Sequence, residues 1–181
     1  MTYQKVKHMK NSNNVKLYNL LLPLWLIIFI PSFLWLVLIP LNYLIDRLVL
    51  SWSLGYDPYK GYFCRQHTWK ICLAGFFSDF VGAAIMLLFS VTLSENSEKL
   101  FDICYAIMLD PFSDLLGLLI VLVCIAISAA CIYLIDRWIL GKAGLEPEQV
   151  KCAAVRLAII TAPYLYLFPS RLLYEGGILG T

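Results

Sequence analysis

Apolar residues in this chain fall into long unbroken blocks separated by short polar stretches, and not into stripes or alternations. Residues 17–45 carry no charge between Lys16 and Asp46, and Pro23, Pro31 and Pro40 punctuate the run. Residues 71–93 and 115–135 form two further blocks, and a shorter one at 152–168 is interrupted by Pro163 and closed by Pro169. A helix needs about 20 apolar residues to cross roughly 30 Å of hydrocarbon. Lipid-facing strands would have to alternate and close into a barrel. Continuous apolarity predicts helices, which satisfy their own backbone in hydrocarbon. The expected fold is all-α, a polytopic transmembrane helix bundle in a single membrane domain. It has a polar tail over 1–16, a Pro-broken first helical segment over 17–54, spans at 69–93, 115–140 and 151–173, and an acidic loop at 94–114.

The sharpest pattern is an internal repeat. Tyr43-Leu44-Ile45-Asp46-Arg47-Leu48-Val49-Leu50 aligns with Tyr133-Leu134-Ile135-Asp136-Arg137-Trp138-Ile139-Leu140, six of eight positions being identical. Each copy ends an apolar helix and is followed by a polar loop and a Lys at the mouth of the next helix, Lys70 or Lys151. A two-fold duplication of a helix–loop–helix unit accounts for this, with chance similarity of apolar helix ends as the alternative. Parallel repeats would place both segments at one membrane face.

Short-loop charge sets orientation. If residues 17–45 cross once, the Lys/Arg tally is six on one face against eight on the other, which decides little. If they enter and return on one side, it becomes twelve against two, a strong positive-inside bias. Leu17–Ile30 is fourteen residues, about 21 Å as helix, too short to span alone. A return at Pro31, which breaks the helix ladder, is therefore the expectation. The first loop and the 141–151 loop would then be cytoplasmic.

Composition narrows the classes. Hydrophobic residues make up 61% of the 181, charged residues 14%, and mean hydropathy is +0.77, far from a soluble domain. A net charge of +2 gives no reason to expect nucleic-acid binding. The basic N-terminal tail precedes an apolar run far too long for a signal-peptide core, so a cleaved signal is not expected. The six cysteines form no C-x-x-C and read as small apolar packing residues. No zinc helix, nucleophile elbow or phosphate-cradling loop occurs, so no cofactor, no metal and no catalytic residue is assigned.

Candidate chemistry centres on Asp79. It lies nine residues inside the second block from Lys70, about 13 Å deep. A carboxylate there costs several kcal/mol unless paired, neutralised or facing water. Ala74, Ser78 and Gly82 recur at helical spacing as a packing face that turns Asp79 toward the bundle. Arg156, five residues into the last span, is its expected cationic partner, with snorkelling to the interface as the alternative. Asp46 with Arg137 and Asp136 with Arg47 are candidate inter-repeat ion pairs, because neighbours on one helix point about 100° apart. A polar vestibule is the alternative for those four residues. His67 reads as a solvated interfacial residue. The five Trp and many Tyr near span ends match aromatic belts.

The Leu17-Tyr18-Asn19-Leu20 opening with Pro23, Asp79-Phe80-x-Gly82 and Thr161-Ala162-Pro163-Tyr164 resemble small multi-span membrane proteins of unassigned function from Gram-positive bacteria. The resemblance implies no activity. The expected role is a non-enzymatic accessory, scaffold or small transport component of the cell membrane, with an intramembrane Asp at its polar centre. Its partners would be the lipid bilayer and a second copy or another membrane subunit. A membrane enzyme acting on a lipid or lipid-linked substrate is the alternative, and a pore-forming oligomer a third.

Overall fold

The computed structural model describes residues 35–56, 59–93 and 98–172. Among these the chain folds into α1 (Trp35–Ser53), α2 (Lys60–Leu93), α3 (Glu98–Met108), α4 (Leu115–Lys142) and α5 (Pro147–Ile160). Short 3₁₀ turns occupy Pro111–Ser113 and Tyr164–Leu167. The all-α bundle follows from the block pattern. Helices α1, α2 and α4, and the run Pro147–Leu167, are long and apolar enough to cross a membrane. The chain therefore has the architecture of a multi-pass membrane protein.

The first apolar segment behaves differently from a short broken piece. Trp35–Ser53 is one helix that continues through Pro40. At 19 residues it is about 28 Å long, close to the hydrocarbon thickness. Pro40 lies in its second turn, where the missing N–H deprives only the Leu36 carbonyl of a donor. Pro31 and the polar tail fall outside the described residues. Helix α2 starts at Lys60, ahead of the apolar block, and its 34 residues extend about 51 Å, well beyond hydrocarbon depth. Within the acidic connection, the described residues 98–114 form a helix and a 3₁₀ turn where their acidity suggests a loop. Helix α3 buries Cys104, Ala106 and Ile107 while Phe101, Asp102 and Tyr105 stay exposed. Acidic side chains also close the corner. Asp110 accepts from the Phe112 N–H at 3.3 Å, and Asp114 caps α4 by accepting from the Gly117 N–H at 2.9 Å.

Helix α1 packs on α2 and α5, α2 on α4, and α4 on α5, so the four candidate spans close into a ring. Helix α3 covers α2 and α4 at one end. Two apolar clusters fill the interior. One gathers Val49, Leu50, Leu54, Cys64, Ile71, Leu140, Val150, Ala153 and Leu157. The other gathers Ala83, Met86, Ile107, Val121, Cys124, Ile125, Ala162 and Tyr166. Large apolar side chains such as Leu44, Leu48, Phe77, Phe80, Leu88, Leu119 and Val123 face outward, as a lipid-facing surface requires.

The two helix–loop–helix units match beyond their aligned residues. Helices α1 and α4 each end one residue before a cap position and then a glycine with positive φ, Gly55 at 62° and Gly144 at 85°. A left-handed residue just past a helix end turns the chain sharply, and glycine does this without Cβ strain.

Candidate functional site

Equivalent positions of the repeat share their surroundings. Leu50 and Leu140 are fully buried, Leu44 and Leu134 are exposed, and Arg47 and Arg137 are exposed. The two aspartates go inward: Asp46 is 3% exposed and Asp136 is 0% exposed. Helical geometry makes the choice. One position separates Asp from Arg, so the side chains diverge by about 100°, and the Asp lies on the face that carries Leu50 or Leu140 one turn later.

That placement rules out the expected inter-repeat ion pairs. Arg137 donates instead to the Tyr133 hydroxyl at 3.1 Å on its own helix. Neither carboxylate oxygen of Asp136 has a hydrogen-bond partner among the described residues. Asp46 is engaged by the Cys72 thiol of α2. The pairing of Asp79 with Arg156 is not formed either. Arg156 lies over the Trp52 ring, 4.4 Å from its centroid, and lines a surface groove with Glu148 and Lys151. An aromatic face is an adequate seat for a guanidinium at an interface, so Arg156 has no need to turn inward.

Asp79 is half-buried, and its Oδ1 is enclosed without a hydrogen-bond partner among the described residues. Its main chain is held from across the bundle, where the Tyr166 hydroxyl donates to the Asp79 carbonyl. Ala74, Ser78 and Gly82 are buried, and the Ser78 hydroxyl returns to the Ala74 carbonyl at 2.8 Å. Gly82 marks the close approach of α2 to α4. A methyl group there would collide with Ser128 Oγ and meet the Tyr166 ring at 3.2 Å.

The three aspartates belong to one layer. Along α2, Ile71 belongs to one apolar cluster and Ala83 to the other, with Cys72, Ser78 and Asp79 between them. Along α4, Ile125 and Leu140 bracket Ser128 and Asp136 in the same way. Asp46 lies within electrostatic reach of both Asp79 and Asp136. The described residues contain no group of three or more His, Cys, Asp or Glu arranged to hold a metal ion. The layer is a spread of carboxylates over three helices, not a compact chelate. Sequence reasoning singled out Asp79 but placed Asp46 and Asp136 at the membrane face as paired charges. Their shared offset from a buried Leu, four residues on, is the signal that points them inward. Tyr166 gave no comparable signal, since its partner lies 87 residues away. Comparison with protein families, with characterised proteins and with solved structures gives no match to this chain.

Proposed function

We propose that the protein is a small transport component of the cell membrane that takes up protons or single small cations at its carboxylate layer. The observation that carries this reading is Asp136, fully enclosed with both oxygens unpartnered among the described residues. An isolated ionised carboxylate in a low-dielectric interior costs several kcal/mol. The arginines of the repeat, which could have offset that cost, face outward. What satisfies the oxygens must then come from outside the described protein: a proton, a cation or water. Asp79, with its enclosed Oδ1 also unpartnered among the described residues, extends the same demand to α2, while Asp46 on α1 adds a third buried carboxylate held by the Cys72 thiol. A scattered layer suits proton transfer or a monovalent ion better than a divalent ion, which prefers several convergent oxygens. Self-association or a partner subunit belongs to this reading, because a ring of four helices is a thin wall for a polar path.

The test is flux. The purified full chain is reconstituted into vesicles carrying a pH-sensitive dye, and a pH or Na⁺ gradient is imposed. The expected result is dye response above protein-free vesicles, reduced at least tenfold in Asp136→Asn and in Asp79→Asn, with both variants keeping wild-type helicity. Flux at the protein-free level, or flux untouched by both substitutions, would overturn the proposal.

A further inference from the structure

At the basic end of the bundle a cleft of about 210 Å³ opens between α2 and α4, lined by His67, Lys70, Trp138, Ile139, Lys142 and Ala143. Its charged lining is entirely basic. Among the described residues neither lysine is ion-paired. Both ammonium groups rest on indole rings, Lys142 on Trp138 at 3.9 Å and Lys70 on Trp69 at 5.8 Å from the ring centroids. Such cation–π contacts hold a lysine near an interface while leaving its donors free. His67 leans on Phe63, with ring centroids 4.4 Å apart, and its Nδ1 is buried without a hydrogen-bond partner. A bare ring nitrogen is less costly to bury than an unmade N–H, and that tautomer puts the proton on Nε2 as a donor. Trp138 is 61% exposed and Trp69 51%, the amphipathic placement that marks headgroup depth.

We propose that this cleft binds the phosphate of an anionic phospholipid. Two free ammonium groups and an imidazole donor meet a phosphodiester, and the exposed indoles flank its glycerol and upper acyl chains. The eight Lys and Arg carried by this end of the described chain orient it toward the cytoplasmic leaflet, where anionic lipids attract basic clusters between helices. Free phosphate has the same charge chemistry, but it gains nothing from exposed indoles, which favours the lipid source. The site is independent of the carboxylate layer, so its fate and that of the transport reading are separable.

The purified full chain in detergent is titrated with short-chain phosphatidylglycerol, short-chain phosphatidylcholine and inorganic phosphate, with bound species counted by native mass spectrometry. Phosphatidylglycerol is expected to bind at least tenfold more tightly than phosphatidylcholine, and inorganic phosphate to bind negligibly. Lys70→Ala and Lys142→Ala are each expected to weaken phosphatidylglycerol about 5-fold, and together about 30-fold, while Lys151→Ala on α5 leaves it unchanged. If the double variant fails to fold, a salt titration of the wild type decides: the preference for phosphatidylglycerol should fall as ionic strength rises. Equal binding of the two lipids, inorganic phosphate binding as well as phosphatidylglycerol, salt independence, or wild-type binding by the double variant would each overturn the proposal.

Discussion

Buried aspartates in this chain are treated in two opposite ways. Asp110 is 4% exposed and fully accounted for: it caps a 3₁₀ turn and meets Arg171 at 3.0 Å. Arg171 also donates its backbone N–H to the Leu109 carbonyl at 3.1 Å, so the segment after the last 3₁₀ turn is tied to the α3–α4 corner twice. Asp136, as deeply enclosed, has nothing comparable among the described residues. The same fold thus satisfies one enclosed carboxylate completely and leaves another without a partner among the described residues. The ion pair itself is testable. Arg171 is 45% exposed, so solvent discounts the attraction, yet its removal strands an enclosed carboxylate. Arg171→Ala is expected to lower stability by about 1–2 kcal/mol, read as a shift in thermal unfolding in detergent. Adding Asp110→Asn to that variant is expected to recover part of the loss. A neutral Arg171→Ala would show that the corner is held by its backbone contacts alone.

At the scale of elements, contact between α2 and α4 depends on what their small residues permit. Gly82 has no room for a methyl group against Ser128 and Tyr166, whereas a methyl at Gly75 meets nothing within 4 Å among the described residues. Gly82→Ala is expected to cost about 1–3 kcal/mol as the helices are forced apart. Gly75→Ala, on the same helix, is expected to be neutral or stabilising by up to about 1 kcal/mol, because alanine loses less backbone freedom than glycine. Equal effects of the two in a detergent unfolding series would mean that α2 and α4 are not closely packed at Gly82. The spacing of Ala74, Ser78 and Gly82 made this face legible, since a helix repeats its surface every three to four residues. The repeat made the equivalence of Asp46 and Asp136 legible too. What it could not supply was their partners: sequence adjacency suggested arginines, while the helix turned Arg47 and Arg137 to the outside. Helix α3 was hidden for another reason. Its acidic residues read as a loop, yet one face of the segment carries Cys104, Ala106 and Ile107 into the bundle. Burial also pushes the Cys104 thiol up from its ordinary range, only partly offset by the Ser90 side chain, while the thiol itself donates to the Ser90 carbonyl at 3.4 Å.

Across the whole molecule, charge and packing agree on which end is which. Val49, Leu50 and Leu54 at the end of α1 share a cluster with Cys64 near the start of α2, Leu140 near the end of α4 and Val150 near the start of α5. The loops around Gly55 and Gly144 must therefore emerge on one side, whatever the path of the residues before Trp35. Arg47, Lys60, Arg65 and Lys70 belong to that end in the first unit, and Arg137, Lys142, Lys151 and Arg156 in the second. The corner at Pro111–Ser113 lies at the opposite end, where the acidic Glu98, Asp102, Asp110 and Asp114 outnumber the basic Lys99 and Arg171. Positive residues in short loops stay in the cytoplasm, so reporters placed at Tyr56 and Gly144 should read cytoplasmic and one at Phe112 should read external. A cytoplasmic Phe112 with both other sites external would invert the molecule and move the basic cleft away from the anionic leaflet, leaving the ring of helices intact. Tyr56 and Gly144 on opposite faces would be the graver result. The apolar cluster that joins the two units could not then exist, and the carboxylate layer bracketed by that cluster would lose the walls that enclose it.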